Sequence, residues 1–296
     1  MPQVRANGIQ LEYDTFGRTS NAPLLLIMGL GAQMVLWDEE FCELLARHGH
    51  YVVRFDNRDV GLSTKFDHAG VPNLAAIMAP GADRSGVPYT LDDMADDAAG
   101  LLDALRIESA HVVGASMGGM IAQTVAYRHA PKTRSLVSIM SSTGNPALPQ
   151  AKPEAMAVLM TPRPLDREGN VEAAVKASAV IGSPAYPQDP ERLRARAGMM
   201  FDRAFTPLGT LRQMAAIFAH GNRVPRLGAV RAPTLVIHGV ADPLVPVEGG
   251  RDTAKSIPGA ELLEIEGMGH DLPPALWSRI ADAIAAHTRK AESARR

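Results

Sequence analysis

His111-Val112-Val113-Gly114-Ala115-Ser116-Met117-Gly118-Gly119-Met120-Ile121-Ala122 reads as a strand, a sharp turn and a helix in one short stretch. β-Favouring residues lead in, a Gly-x-Ser-x-Gly pentad follows, and a helix-forming run closes it. A side chain on so tight a strand-to-helix turn sits in a strained backbone conformation, and Cβ atoms on either side of it would clash, hence the glycines. Such a turn lifts the Ser116 hydroxyl clear of the backbone and sets it over the unpaired N–H groups of a helix N-terminus. Ser116 is therefore the candidate nucleophile.

Working outward, Val4 and Phe16 bound two short strands around Asn7-Gly8, a hairpin turn signal. Leu24-Leu25-Leu26-Ile27-Met28 is apolar throughout, as a strand buried on both faces must be, and it ends in Gly29-Leu30-Gly31. An amphipathic helix is expected over 37–48, then the strand Tyr51-Val52-Val53-Arg54-Phe55. Strand, helix, strand implies parallel pairing with right-handed crossovers. Residues 56–63 read as a structural turn in which Asp56 and Arg58 satisfy the backbone and each other. Residues 73–88 are rich in Gly and Pro and irregular. Thr90 is the expected N-cap of a helix reaching about residue 105, with Asp92, Asp93, Asp96 and Asp97 on its solvent face rather than around a metal. Another strand is expected over 136–140.

The character changes over 145–231. Prolines recur between helical stretches expected at 154–160, 171–181, 190–205 and 208–220, with no strand-like alternation. This segment reads as a helical cap inserted into a core made of 1–144 and 232–296. Its methionines, Met156, Met160, Met199, Met200 and Met214, would serve either packing or an adaptable apolar pocket. Strands then return at 233–238 and 261–265, with helices over 247–256 and 273–288. A charged tail, 289–296, is expected to fray.

A serine hydroxyl attacks well only if a base takes its proton, and a base titrating near neutrality is by default a histidine. That histidine needs a carboxylate to hold its tautomer. In an open parallel sheet the three should project from the carboxyl ends of strands. Nine histidines compete: His48, His50, His68, His111, His129, His220, His238, His270 and His287. Only His270 lies in a Gly-x-Gly-His loop after a late strand, whereas His111 and His238 lie within strands. Asp242 follows the strand ending at His238, and the position after residue 140, Ser141-Ser142-Thr143-Gly144, offers no carboxylate. Asp271 should point elsewhere. Negative charge on a substrate oxygen would need preorganised N–H donors, and Met117 and Leu30 are placed to supply them, with Gly29 letting the backbone approach the substrate.

Gly-Leu-Gly at 29–31, the loop 56–63, Gly-Ala-Ser-Met-Gly-Gly at 114–119, Pro-Thr-Leu-Val-Ile-His-Gly at 233–239 and Gly-Met-Gly-His at 267–270 together resemble the α/β-hydrolase superfamily over nearly the whole chain. The order Ser, Asp, His along the chain is also that family's. The resemblance implies an α/β fold with a mostly parallel eight-stranded sheet flanked by helices and an inserted helical cap. It also implies hydrolysis of small-molecule carboxylic esters through an acyl-serine, without metal or cofactor. Two departures, Met28 before Gly29 where many members carry His, and Asp59 after the loop arginine where many carry Gly, look like the esterase branch that includes aclacinomycin methylesterase. Members with an aspartate nucleophile, the epoxide hydrolases and dehalogenases, are disfavoured by Ser116. Perhydrolysis at the same site, and ligand binding on this fold without turnover, stay open as alternatives.

Bulk properties agree with that class. At 296 residues the chain suffices for one large α/β domain with an insertion. Thirty basic against 32 acidic residues, a net charge of −2, gives no reason to expect nucleic acid or an anionic membrane as partner. The single cysteine, Cys42, permits no internal disulfide and reads as a small buried apolar residue in a helix. The segment Met1-Pro2-Gln3-Val4-Arg5 lacks a signal-peptide pattern, and no apolar run reaches the ~18 residues that span a bilayer, so a cytoplasmic location is the expectation. The sequence carries no signal for oligomeric state.

Overall fold

Asn7 and Gly8 both take left-handed φ, 46° and 79°, and turn β1 (Gln3–Ala6) back onto β2 (Ile9–Phe16) as an antiparallel hairpin. The computed structural model describes residues 2–79, 81–84 and 86–295. After the hairpin come β3 (Ala22–Ile27), α1 (Glu39–Arg47), β4 (His50–Phe55), the short α2 (Leu74–Met78) and α3 (Leu91–Ala104). Then follow β5 (Ala110–Ala115), α4 (Met117–Arg128) and β6 (Thr133–Ile139). Five helices join β6 to the next strand: α5 (Pro153–Met160), α6 (Arg167–Ile181), α7 (Pro190–Arg203), α8 (Pro207–His220) and α9 (Val224–Leu227). The chain closes with β7 (Thr234–Gly239), α10 (Val247–Ser256), β8 (Glu261–Ile265) and α11 (Trp277–Arg295).

The strands form one eight-stranded sheet in the order β1-β2-β4-β3-β5-β6-β7-β8. From β4 to β8 every pairing is parallel; only β1 and β2 run antiparallel to their neighbours. The apolar run in β3 divides between two cores. Leu25 and Ile27 face α3 and α4 with Val53, Val112, Leu101 and Val125. Leu24 and Leu26 face α1 and α11 with Val52, Val113, Phe41 and Ile284. A strand with no polar position is thus what a sheet covered on both sides requires. Cys42 is buried in α1, where burial pushes its thiol up to about 12.

Thr90 caps α3 reciprocally with Asp93: the Asp92 N–H donates to Thr90 Oγ1 at 3.2 Å and the Thr90 N–H to Asp93 Oδ2 at 2.7 Å. Asp97, expected on the solvent face, is instead buried and paired with Arg58 through contacts of 2.6 and 2.8 Å. The expected Asp56–Arg58 pairing is corrected by the same contact. Asp56 turns the other way, accepting from Met34 N–H at 2.7 Å and Leu62 N–H at 2.9 Å, and pairs with Arg203 of α7 at 2.8 Å. Each guanidinium thus meets a different buried carboxylate, Arg58 that of Asp97 and Arg203 that of Asp56. Residues 289–296, expected to fray, continue α11 through Arg295. Ala291 is buried and Lys290 pairs with Glu261 of β8. Arg296 lies outside the described residues, as do Pro80 and Ser85 of the irregular stretch 73–88.

Candidate active site

Ser116 sits between β5 and α4 with φ 56° and ψ −121°, a conformation that a non-glycine residue holds only when its surroundings impose it. The surroundings do so. Ser116 N–H donates to Ile139 O on the adjacent strand at 2.9 Å. A Cβ on Gly114 would strike the Gly118 carbonyl, and one on Gly118 would strike the Ile27 carbonyl. Both pentad glycines are therefore there for close backbone approach.

The structure brings three sequence-predicted side chains together from three strand ends. His270 Nε2 lies 2.9 Å from Ser116 Oγ, and His270 Nδ1 lies 2.7 Å from Asp242 Oδ2. Asp242 has no exposed side-chain surface and His270 is 8% exposed. The other carboxylate oxygen, Oδ1, accepts the Leu244 and Val245 N–H groups, each at 2.9 Å. Each oxygen of Asp242 thus has its own task. The carboxylate accepts from Nδ1–H, which leaves Nε2 unprotonated and ready to take the serine proton.

His238, a rival histidine, lies near this acid, 3.7 Å from Asp242 Oδ2. Its Nε2 is 2.8 Å from Val245 O, an atom that only accepts, so the N–H is committed there and braces the Asp242 loop. Burial holds His238 below the usual histidine range. His111 is buried deep in β5 against Ser135, where burial pushes it down to about 3. Asp271 turns away from the serine and accepts from Ser183 and Gln188.

Gly29 lies against the serine, and a Cβ there would sit 3.1 Å from Ser116 Cβ. The backbone N–H groups of Leu30 and Met117 carry no hydrogen bond among the described residues. Met117 opens α4, so its N–H belongs to the positive end of a helix. The histidine loop is held from α6 and the turn after it: His270 N–H donates to Ile181 O at 2.7 Å and Gly269 N–H to Ser183 Oγ at 2.9 Å. Sequence reasoning missed Ser183 as a support, because its contact to Gly269 spans 86 positions and no motif marks it. Of the methionines considered for a pocket, Met160 and Met199 are exposed and Met214 is buried. Among the described residues no group of three His, Cys, Asp or Glu side chains is placed to hold a metal ion, and no helix is long and apolar enough to cross a membrane.

Two rhodomycin D methylesterases are 31% identical to this chain. DauP of Streptomyces sp. (strain C5) matches over 97% of this chain and 98% of its own length, and DnrP of Streptomyces peucetius over 96% of each. Among solved structures, a thermophilic esterase from Thermogutta terrifontis superposes with a TM-score of 0.71 at 22% identity, covering 98% of this chain and 99% of its own. The enol-lactonase of Burkholderia xenovorans LB400 superposes with a TM-score of 0.69, also at 22% identity, covering 99% and 100%. The model of the alpha/beta hydrolase fold family matches residues 22–273, and the chain belongs to that family.

Proposed function

We propose that the protein is a serine carboxylesterase acting on small-molecule esters, methyl esters foremost. Ser116, His270 and Asp242 are its catalytic residues, and the N–H groups of Leu30 and Met117 form its oxyanion hole. The observation that carries this reading is the hydrogen-bonded line from Ser116 Oγ through His270 to Asp242, at 2.9 and 2.7 Å. Likeness to two methylesterases along almost their whole length supports the leaving group.

As Ser116 Oγ attacks the ester carbon, His270 Nε2 takes its proton, and the carbonyl oxygen becomes negative between the two N–H donors. Each such donor is worth about 3–4 kcal/mol in the transition state. Collapse expels the alcohol, which leaves with the proton from His270. Water then attacks the acyl-serine, gives its proton to His270, and the acid departs as that proton returns to Ser116 Oγ. Asp242 stays ionised throughout and stabilises the imidazolium. In this reading residues 145–231 form a cap over the site, carried by a core of 1–144 and 232–296. The support is that α6 and α8 bond to the loops carrying His270 and Leu30, and α7 pairs with Asp56 at the end of β4.

Turnover of a panel of methyl and p-nitrophenyl esters tests the proposal, with Ser116→Ala expected to cut kcat by ~10⁴-fold or more. Full activity in that variant would falsify it. The same preparation separates the rivals. Peracid formed from acetate and peroxide would mark perhydrolysis, and failure of a fluorophosphonate to label Ser116 would mark binding without turnover.

A further inference from the structure

We propose that Gln213 of α8 is a positioning residue for the oxyanion hole, holding the Leu30 N–H where negative charge develops on the substrate. This rests on the esterase reading above.

Three successive peptides lead through the loop after β3, and each is pinned by a different partner. Met28 O accepts from Asn57 Nδ2 at 2.9 Å. Gly29 O, on the same peptide as the Leu30 N–H, accepts from Ala32 N–H at 3.3 Å. The next peptide is held by its N–H, which Gly31 donates to Gln213 Oε1 at 2.8 Å. Of these three holds only the last comes from the helices between β6 and β7.

That hold is the one that matters most. Gly31 sits at φ 64°, and a Cβ there would lie 2.7 Å from Thr210 Oγ1 of α8, so only glycine fits. Glycine widens the range of φ open at this position, so local sterics alone do not fix the peptide before it. A hydrogen bond must choose the orientation that sterics do not. Rotation of that peptide would drag on Leu30 and weaken the Ala32–Gly29 bond, already the longest of the three.

Gln213 is built to make this choice. It is fully buried, and its Nε2 donates to Arg58 O at 2.7 Å. A carbonyl only accepts and a backbone N–H only donates, so the amide has a single orientation that satisfies both. The neighbouring Arg212 anchors the same turn of α8 by two 2.8 Å contacts to Asp59. Gly209 lets the helix press onto the Asp59 carbonyl. Helix α8 is thus seated between the oxyanion loop and the loop 56–63, with Gln213 bridging them.

The test compares Gln213→Met, close in volume but without polar atoms, with Gln213→Glu, which keeps an acceptor for the Gly31 N–H. Substrates are a methyl ester and its thiono analogue, in which sulfur replaces the carbonyl oxygen. Gln213→Met is expected to lower kcat by ~10–100-fold with KM within about threefold, and to lose much of the preference for oxygen over sulfur. Gln213→Glu should keep most of both at the acid end of the activity range, where its buried carboxyl is protonated and the O–H replaces the amide as donor to Arg58 O. Arg192→Met, which removes contacts of α7 to Asp38 and Glu40, should leave kcat and the oxygen preference unchanged. Should Gln213→Met not fold, Gln213→Asn takes its place, since a shorter amide cannot span Gly31 and Arg58. Wild-type kcat and oxygen preference in the substituted enzyme overturn the positioning role, as does an equal loss in Arg192→Met. Wild-type enzyme inert on every ester overturns the esterase reading itself, a result distinct from either.

Discussion

Arg212 grips Asp59 with two parallel contacts of 2.8 Å, and the two side chains are 1% and 0% exposed. Asp59 stands at φ 71°, a backbone conformation suited to glycine, and holds it as an aspartate. The Tyr89 hydroxyl donates to the same carboxylate at 2.6 Å and the Phe66 N–H at 2.8 Å. The helical segment and the sheet are thereby joined by a charge pair sealed from water.

Arg212→Met should therefore lower stability by about 3–5 kcal/mol, because it leaves a buried carboxylate without its counter-charge. Asp59→Gly relieves the backbone strain, worth about 1–2 kcal/mol, yet leaves the buried guanidinium only Asp67, a largely exposed carboxylate, and the Gly70 carbonyl, so it should also destabilise. The double variant should regain part of the loss, since neither charge is then left alone. Urea midpoints measure all three; a wild-type midpoint for Arg212→Met would show that the pair does not hold the segment.

Asp242→Asn should reduce kcat by ~10⁴-fold with the fold intact. The direction follows from the Leu244 and Val245 N–H groups, which both donate to Oδ1 and require an oxygen there. An asparagine must then turn its NH₂ toward His270 Nδ1, which forces the imidazole to carry its proton on Nε2, facing the serine. Steady-state kinetics with circular dichroism as control decide it, and a kcat within tenfold of wild type would remove Asp242 from the mechanism.

Stability should fall as pH drops from neutral. Burial pushes His111 and His220 down from the ordinary value of 6.5 to about 3, and it lowers His50, His238 and His287 as well. Between those values the unfolded chain takes up protons that the folded chain refuses, so unfolding gains with every proton. The contribution is whole above pH 6.5 and is lost as pH falls toward 3. Denaturation midpoints between about pH 8 and pH 4 should decline, and His220→Gln should make the decline shallower. Among the described residues His220 Nε2 has neutral or cationic neighbours at hydrogen-bond range, Tyr127 at 3.1 Å and Arg226 at 3.3 Å, and the one carboxylate near the ring, Asp92, stands 3.8 Å from Nδ1. A slope unchanged in His220→Gln would mean that this ring does not resist protonation.

The sequence alone was enough to establish the family and the order of the strands and longer helices, though not the short α2 and α9. Those are written in local signals: the all-apolar β3, the hairpin at Asn7-Gly8, the glycines about Ser116 and the Thr90 cap each act over a few residues. It also singled out Ser116, Asp242 and His270, because a strand end followed by a short loop is a local pattern. Which partner each buried charge takes was decided only by tertiary structure. Asp56 meets Arg203, Arg58 meets Asp97 and Arg212 meets Asp59, pairings up to 153 positions apart. The same holds for Gln213 against Gly31, 182 positions away. No periodicity or turn rule encodes such contacts. Any arginine of the helical segment could serve any carboxylate of the sheet until packing sets which of them are sealed from water together.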